Sequence, residues 1–64
     1  MKLRFKYWSN DNGGFQAKEV FCETVKQIKE MVARFKEERP DIDNLEVYHG
    51  TECVVRLYDY QRKQ

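Results

Sequence analysis

From Lys2 to Trp8, apolar and basic residues alternate. Leu3, Phe5 and Tyr7 share one parity, and Lys2, Arg4 and Lys6 share the other. A period of two predicts a half-buried strand, and a second stretch of this kind follows from Phe15 to Cys22. Between them, Asn12-Gly13 suits a type I′ turn, in which both central residues need positive φ. Such a turn pairs Asp11 with Gly14 and, further out, Tyr7 with Lys18, Phe5 with Val20 and Leu3 with Cys22. The other face then carries Trp8 against Ala17, Lys6 against Glu19 and Arg4 against Phe21. This register groups apolar residues and gives one cross-strand ion pair. It sends Trp8 and Phe15 to the face away from Leu3 and Phe5.

The period then changes. Val25, Ile28, Val32 and Phe35 form one apolar stripe with Met31 at its flank, which predicts a helix over Thr24–Arg39. Thr24 and Gln27 have the spacing of a capping box, and Pro40 marks the end. Glu30 precedes Arg34 by four residues, a favourable surface pair. The mixed charges at Lys26, Lys29, Lys36, Glu37 and Glu38 read as a solvated helix face.

Alternation returns in "NLEVYHG" and "CVVRLYDY". A two-residue turn at Gly50-Thr51 would set Glu46 beside Val55 and Tyr48 beside Cys53, sending a glutamate to the core. A three-residue loop, Gly50 to Glu52, pairs Leu45 with Leu57, Val47 with Val55 and His49 with Cys53. Glu46 then meets Arg56, and Tyr48 meets Val54. The pattern favours this second register, although glycine belongs at the last position of such a loop rather than the first.

The chain therefore reads as a single α+β domain over residues 1–64, a two-layer ββαββ fold with one helix on a four-stranded sheet. A right-handed crossover can bring the last strand parallel to the first, giving order 2-1-4-3; a 1-2-3-4 meander is the alternative. The element order along the whole chain resembles the β-grasp of ubiquitin-like domains and of the small immunoglobulin-binding domains of bacterial surface proteins. "TVKQIKEMV" is similar to the opening of a ubiquitin-type helix. The resemblance implies the 2-1-4-3 order and no binding residue. The chain ends "RKQ", without the diglycine that conjugation needs.

Composition narrows the function classes. At 64 residues and 41% hydrophobic, the chain can fold but has little room for a deep pocket. A formal net charge of +1 does not mark a globally basic nucleic-acid binder. No apolar run approaches the roughly 20 residues of a membrane span, and "MKLRFKYW" is unlike an export signal, so the cytoplasm is the expected compartment.

Candidate chemistry is sparse. Cys22, Cys53 and His49 are single soft ligands rather than a zinc set, and neither metal nor cofactor is expected. The cysteines read as small apolar residues, reduced and unbridged. Cys22 lies just before the helix, where a thiolate is stabilised, and His49 beside Cys53 offers one acid–base pair, but a catalytic thiol also needs an oxyanion site. An enzyme is not expected. Asp41, Asp43 and Glu46 lack a calcium-loop pattern and read as solubilising a turn.

What stands out is the sheet face opposite the helix. It collects Arg4, Lys6 and Trp8, then Phe15, Ala17, Glu19 and Phe21, then Glu46, Tyr48, Val54, Arg56 and Tyr58, with Tyr60 as a further candidate. A bare face is ordinarily polar, and exposed apolar surface marks an interaction site. The expectation is a non-enzymatic protein-binding module in the style of phage or mobile-element inhibitors of a host factor. It would act through Arg4, Lys6, Trp8, Phe15, Tyr48, Arg56 and Tyr58 on a partner protein or a second copy, the basic residues orienting an acidic or polar partner. The alternative is single-stranded nucleic-acid binding by aromatic stacking with Arg4, Lys6, Lys18 and Arg56. Glu19 and Glu46 on the same face weigh against it, as does the absence of an RNP-type signature.

Overall fold

The computed structural model describes residues 1–11 and 13–60. Strands β1 (Lys2–Trp8) and β2 (Gln16–Phe21) are followed by helix α1 (Lys26–Glu38), then by β3 (Asn44–His49) and β4 (Glu52–Leu57). The architecture is α+β, with one helix on a four-stranded antiparallel sheet.

The strand order is 2-1-3-4. This corrects both the 2-1-4-3 order of the β-grasp resemblance and the meander. β1 lies antiparallel to β3, with Lys6 opposite Glu46 and Arg4 opposite Tyr48. Glu46 in turn faces Arg56, so charge alternates across three strands. The 2-1-4-3 order would bring the Arg56 strand against the strand of Arg4 and Lys6, and neighbouring like charges destabilise a sheet. α1 carries the chain from β2 to β3 over the intervening β1, a split crossover.

The first hairpin keeps its expected faces but not its register. Phe5 lies opposite Lys18 and Leu3 opposite Val20, two residues from the expected pairing. A slip of two leaves every side chain on its own face. The strands stop at Trp8 and Gln16, so the connection spans positions 9–15 rather than a two-residue turn. Asp43 and Asn44 hold residues 9–10 away from the ladder. Asp43 N–H donates to the Trp8 carbonyl at 3.2 Å, and Asp43 Oδ2 accepts from Asn10 N–H at 2.8 Å and from the Ser9 hydroxyl at 3.3 Å. Gly14 has φ 85°, whereas Gly13, expected at positive φ, does not. The corresponding expectation for Asn12 lies outside the described residues, as does the "RKQ" terminus.

The second hairpin combines both candidate registers. Leu45–Leu57, Glu46–Arg56 and Val47–Val55 pair as the pattern requires. Nearer the tip, Tyr48 faces Cys53 and His49 faces Glu52, as a two-residue Gly50-Thr51 turn requires. A bulge between these halves takes up the difference. Gly50 supplies φ 65° at the first turn position, where a type II′ turn wants glycine.

The helix buries Ile28, Val32 and Phe35 against Leu3, Phe5, Tyr7, Leu45 and Val47. The Phe35 ring meets Phe5 at 5.6 Å and Tyr7 at 4.9 Å between centroids. Val25 is 67% exposed, because α1 starts one residue later and Val25 stands at its cap. Only half of the capping box forms. Gln27 Oε1 accepts from the backbone N–H groups of Glu23 and Thr24, and no side chain caps from the N-cap position.

Replacing the φ-positive glycines has a predictable cost. Gly50→Val and Gly14→Val should each lower unfolding free energy by about 1–3 kcal/mol through backbone strain. Gly13→Val should change it by less than about 0.5 kcal/mol. Urea unfolding of the three variants checks the ranking.

Candidate functional site

The helix stripe covers one face of the sheet, and no described element covers the other. Strand alternation fills this open face from four directions. β1 contributes Lys2, Arg4, Lys6 and Trp8, and β2 contributes Ala17 and Glu19, while Phe21 stands at the sheet edge and lines a groove with Gln27, Glu30, Met31 and Arg34 of α1. Glu46 and Tyr48 come from β3, and Arg56 comes from β4. Phe15 lies just before β2, with Lys6 Nζ 4.3 Å from its ring centroid. Tyr58 follows β4, and its ring stands 6.1 Å from that of Trp8 at an angle of 43°. All seven residues picked from the sequence therefore share this side: Arg4, Lys6, Trp8, Phe15, Tyr48, Arg56 and Tyr58. Phe15 is 64% exposed, Phe21 76% and Tyr58 52%, while Trp8 and Tyr48 are half-buried.

Glu46 is the electrostatic centre of the face. Its Oε2 accepts a short hydrogen bond from the Tyr58 hydroxyl, and its Oε1 accepts from Tyr48 at 2.9 Å. The Tyr58 bond, then the Tyr48 bond and the nearby charges of Lys6 and Arg56, hold its carboxyl below the ordinary glutamate range against a smaller opposing effect of burial. Both phenols are raised in turn, chiefly by their bond to Glu46. The three side chains brace one another, which fixes two aromatic rings at defined positions. Alternation located these residues. The clamp itself carried no motif, because it joins β3 to a residue beyond β4.

Several other readings change. Tyr60 leaves the open face and packs on the core side, with Lys36 Nζ 5.2 Å from its ring. Its hydroxyl is buried without a partner among the described residues. Burial first, then Asp43 and Asp41, push its pKa up to about 12. The acidic trio is structural rather than merely solubilising: Asp41 pairs with Arg39 at 3.0 Å, Asp43 holds residues 9–10, and Glu46 forms the clamp. His49 faces Glu52, so the supposed His49–Cys53 pair does not form. Cys22 and Cys53 are free, on opposite edges of the sheet and on the order of 14 Å apart by strand spacing.

Among the described residues, no group of three or more His, Cys, Asp or Glu side chains is placed to hold a metal ion. No described helix is long and apolar enough to cross a membrane. On the other side of the sheet, a groove of about 290 Å³ lies between β2 and α1, floored by Phe5, Val20, Met31 and Phe35 and rimmed by Lys18, Arg34 and Glu38. Comparisons with protein-family models, with curated proteins and with solved structures find no match to this chain.

The clamp predicts an acid sensitivity. The folded pKa of Glu46 lies below its ordinary 4.5, so its contribution to stability is complete above that value and is lost as pH falls through the lower folded one. Thermal melts between neutral pH and about pH 3 should show wild type losing more stability on acidification than Glu46→Gln. Equal slopes would mean that the clamp is not held by charge.

Proposed function

We propose that the protein is a non-enzymatic binding module whose open sheet face docks on a partner protein. The observation that carries this reading is the one-sided placement of exposed aromatic rings. Phe15 and Tyr58 are both more than half exposed and stand with Trp8 and Tyr48 on the side the helix leaves bare. A folded monomer gains little from rings in water, and contiguous exposed apolar surface of this kind belongs to interfaces. Trp, Tyr and Arg are also the side chains that most often dominate binding energy. The Glu46 clamp adds preorganisation, since rings already held lose less freedom on binding.

This mode of action needs contact and no chemistry. It suits a small protein that works by occupying a surface of its target, as phage and mobile-element inhibitors of host factors do. Single-stranded nucleic acid ranks second, because Glu19 and the ionised Glu46 sit among the candidate stacking rings and repel phosphate.

Selection of binders from a displayed peptide library, followed by affinity measurement on variants, tests the reading. Trp8→Ala and Tyr58→Ala should each weaken binding by on the order of 2 kcal/mol, roughly thirtyfold. Glu37→Ala, on the helix, should leave it unchanged. Both face variants should unfold less readily than Phe5→Ala, which opens a core cavity costing about 3–5 kcal/mol. Unchanged affinity at Trp8 and Tyr58 would reject the face as the contact surface.

A further inference from the structure

We infer that the partner surface is acidic, and that it is not a second copy of this chain; the inference rests on the open face being the contact surface. The face carries four basic side chains, Lys2, Arg4, Lys6 and Arg56, against two acidic ones, Glu19 and Glu46. Glu46 keeps its negative charge, because its hydroxyl partners are neutral, but the basic strand residues outnumber the acidic ones and leave the face a positive surplus. Glu19 lies 3.7 Å from Lys2, and both oxygens of Glu46 accept tyrosine hydroxyls. Arg4, Lys6 and Arg56 form no ion pair within 4 Å among the described residues. The surplus charge of the strand residues on this face is therefore positive, and Arg4, Lys6 and Arg56 lie among the rings. Its complement is a surface that offers carboxylates between apolar groups.

A second copy does not meet that requirement. Face to face, each copy would bring the same positive surplus, so the two faces would not complement each other. Edge to edge, β2 also opposes itself. Gln16, Lys18 and Val20 point to the helix side, and Ala17 and Glu19 to the open side, so a two-fold pairing must keep those parities. Either such register that overlaps most of β2 sets Lys18 against Lys18 or Glu19 against Glu19, and like charges directly opposite are destabilising. The β4 edge carries the bulge, which disfavours strand addition.

Trp8 is the only tryptophan, so its emission reports on the face directly. The probes are a synthetic peptide alternating Glu with Leu and Phe, the same peptide with Gln for Glu, and an oligothymidylate of matched length, each titrated at low and high salt. The acidic peptide should shift Trp8 emission and bind at least about tenfold tighter than its Gln counterpart. That margin should shrink at high salt. Arg4→Gln combined with Arg56→Gln should abolish the margin while circular dichroism and the melting curve stay near wild type. Equal binding of the Gln peptide overturns the acidic partner and leaves the face reading intact. Tighter binding of oligothymidylate overturns it in favour of nucleic acid. A dimer in sedimentation over a dilution series, with emission changing in step, overturns it in favour of self-association. Silence toward every probe also overturns it, whereas failure of the face reading would appear as unchanged affinity of Trp8→Ala for library-selected binders.

Discussion

The side-chain amide of Asn44 braces the junction where the β1–β3 ladder joins the two hairpins into one sheet. It is buried at 3% exposure and makes three bonds. Nδ2 donates to the Trp8 carbonyl at 3.3 Å and to Asn10 Oδ1 at 2.9 Å, and Oδ1 accepts from Asp59 N–H at 3.1 Å. One residue thus ties the end of β1, the 9–15 connection and the segment after β4. A buried amide left without these partners would cost about 1–3 kcal/mol, so the bonds favour one arrangement of the strands over its neighbours. The knot lies at one end of the antiparallel β1–β3 ladder, which runs from Arg4–Tyr48 to Trp8–Asn44. It stands beside Trp8 and Tyr58, rings from opposite halves of the chain that meet there.

From that knot the two faces of the sheet take different roles. The inner face is occupied by Leu3, Phe5, Leu45 and Val47, each nearly inaccessible, beneath Ile28, Val32 and Phe35. For a chain of this size this is most of the available core, since small domains bury a limited share of their surface. The outer face is held by polar bracing. Glu46 restrains Tyr48 and Tyr58, and Lys6 lies over Phe15. Rings fixed by hydrogen bonds and cation–π contact can stay exposed and ordered without being buried.

The faces were legible in the sequence because period-two alternation survives errors that preserve parity. The slip in the first hairpin moved Phe5 from Val20 to Lys18, yet it left Trp8, Arg4 and Lys6 on the open side. The turn was not legible. Asn12-Gly13 has strong local turn chemistry, but Asp43 and Asn44, distant in sequence, hold residues 9–10 outside the ladder. In the second hairpin, the conflict between a Gly50-Thr51 turn and the hydrophobic pattern was itself the trace of a bulge. The strand order depended on pairings across the helix, for which periodicity carries no information. The complementary row of Lys6, Glu46 and Arg56 was the available clue. Tyr60 was misplaced because alternation was extended past the end of β4 at Leu57.

Amide chemical-shift mapping of the protein with a selected binder tests the central claim most directly, because it reads every surface at once. The perturbed amides should cluster at Arg4, Lys6, Trp8, Tyr48, Arg56 and Tyr58, with α1 silent from Lys29 to Glu38. Perturbations centred on α1 and the β2 groove at Val20, Met31 and Arg34, with the open face unchanged, would contradict it.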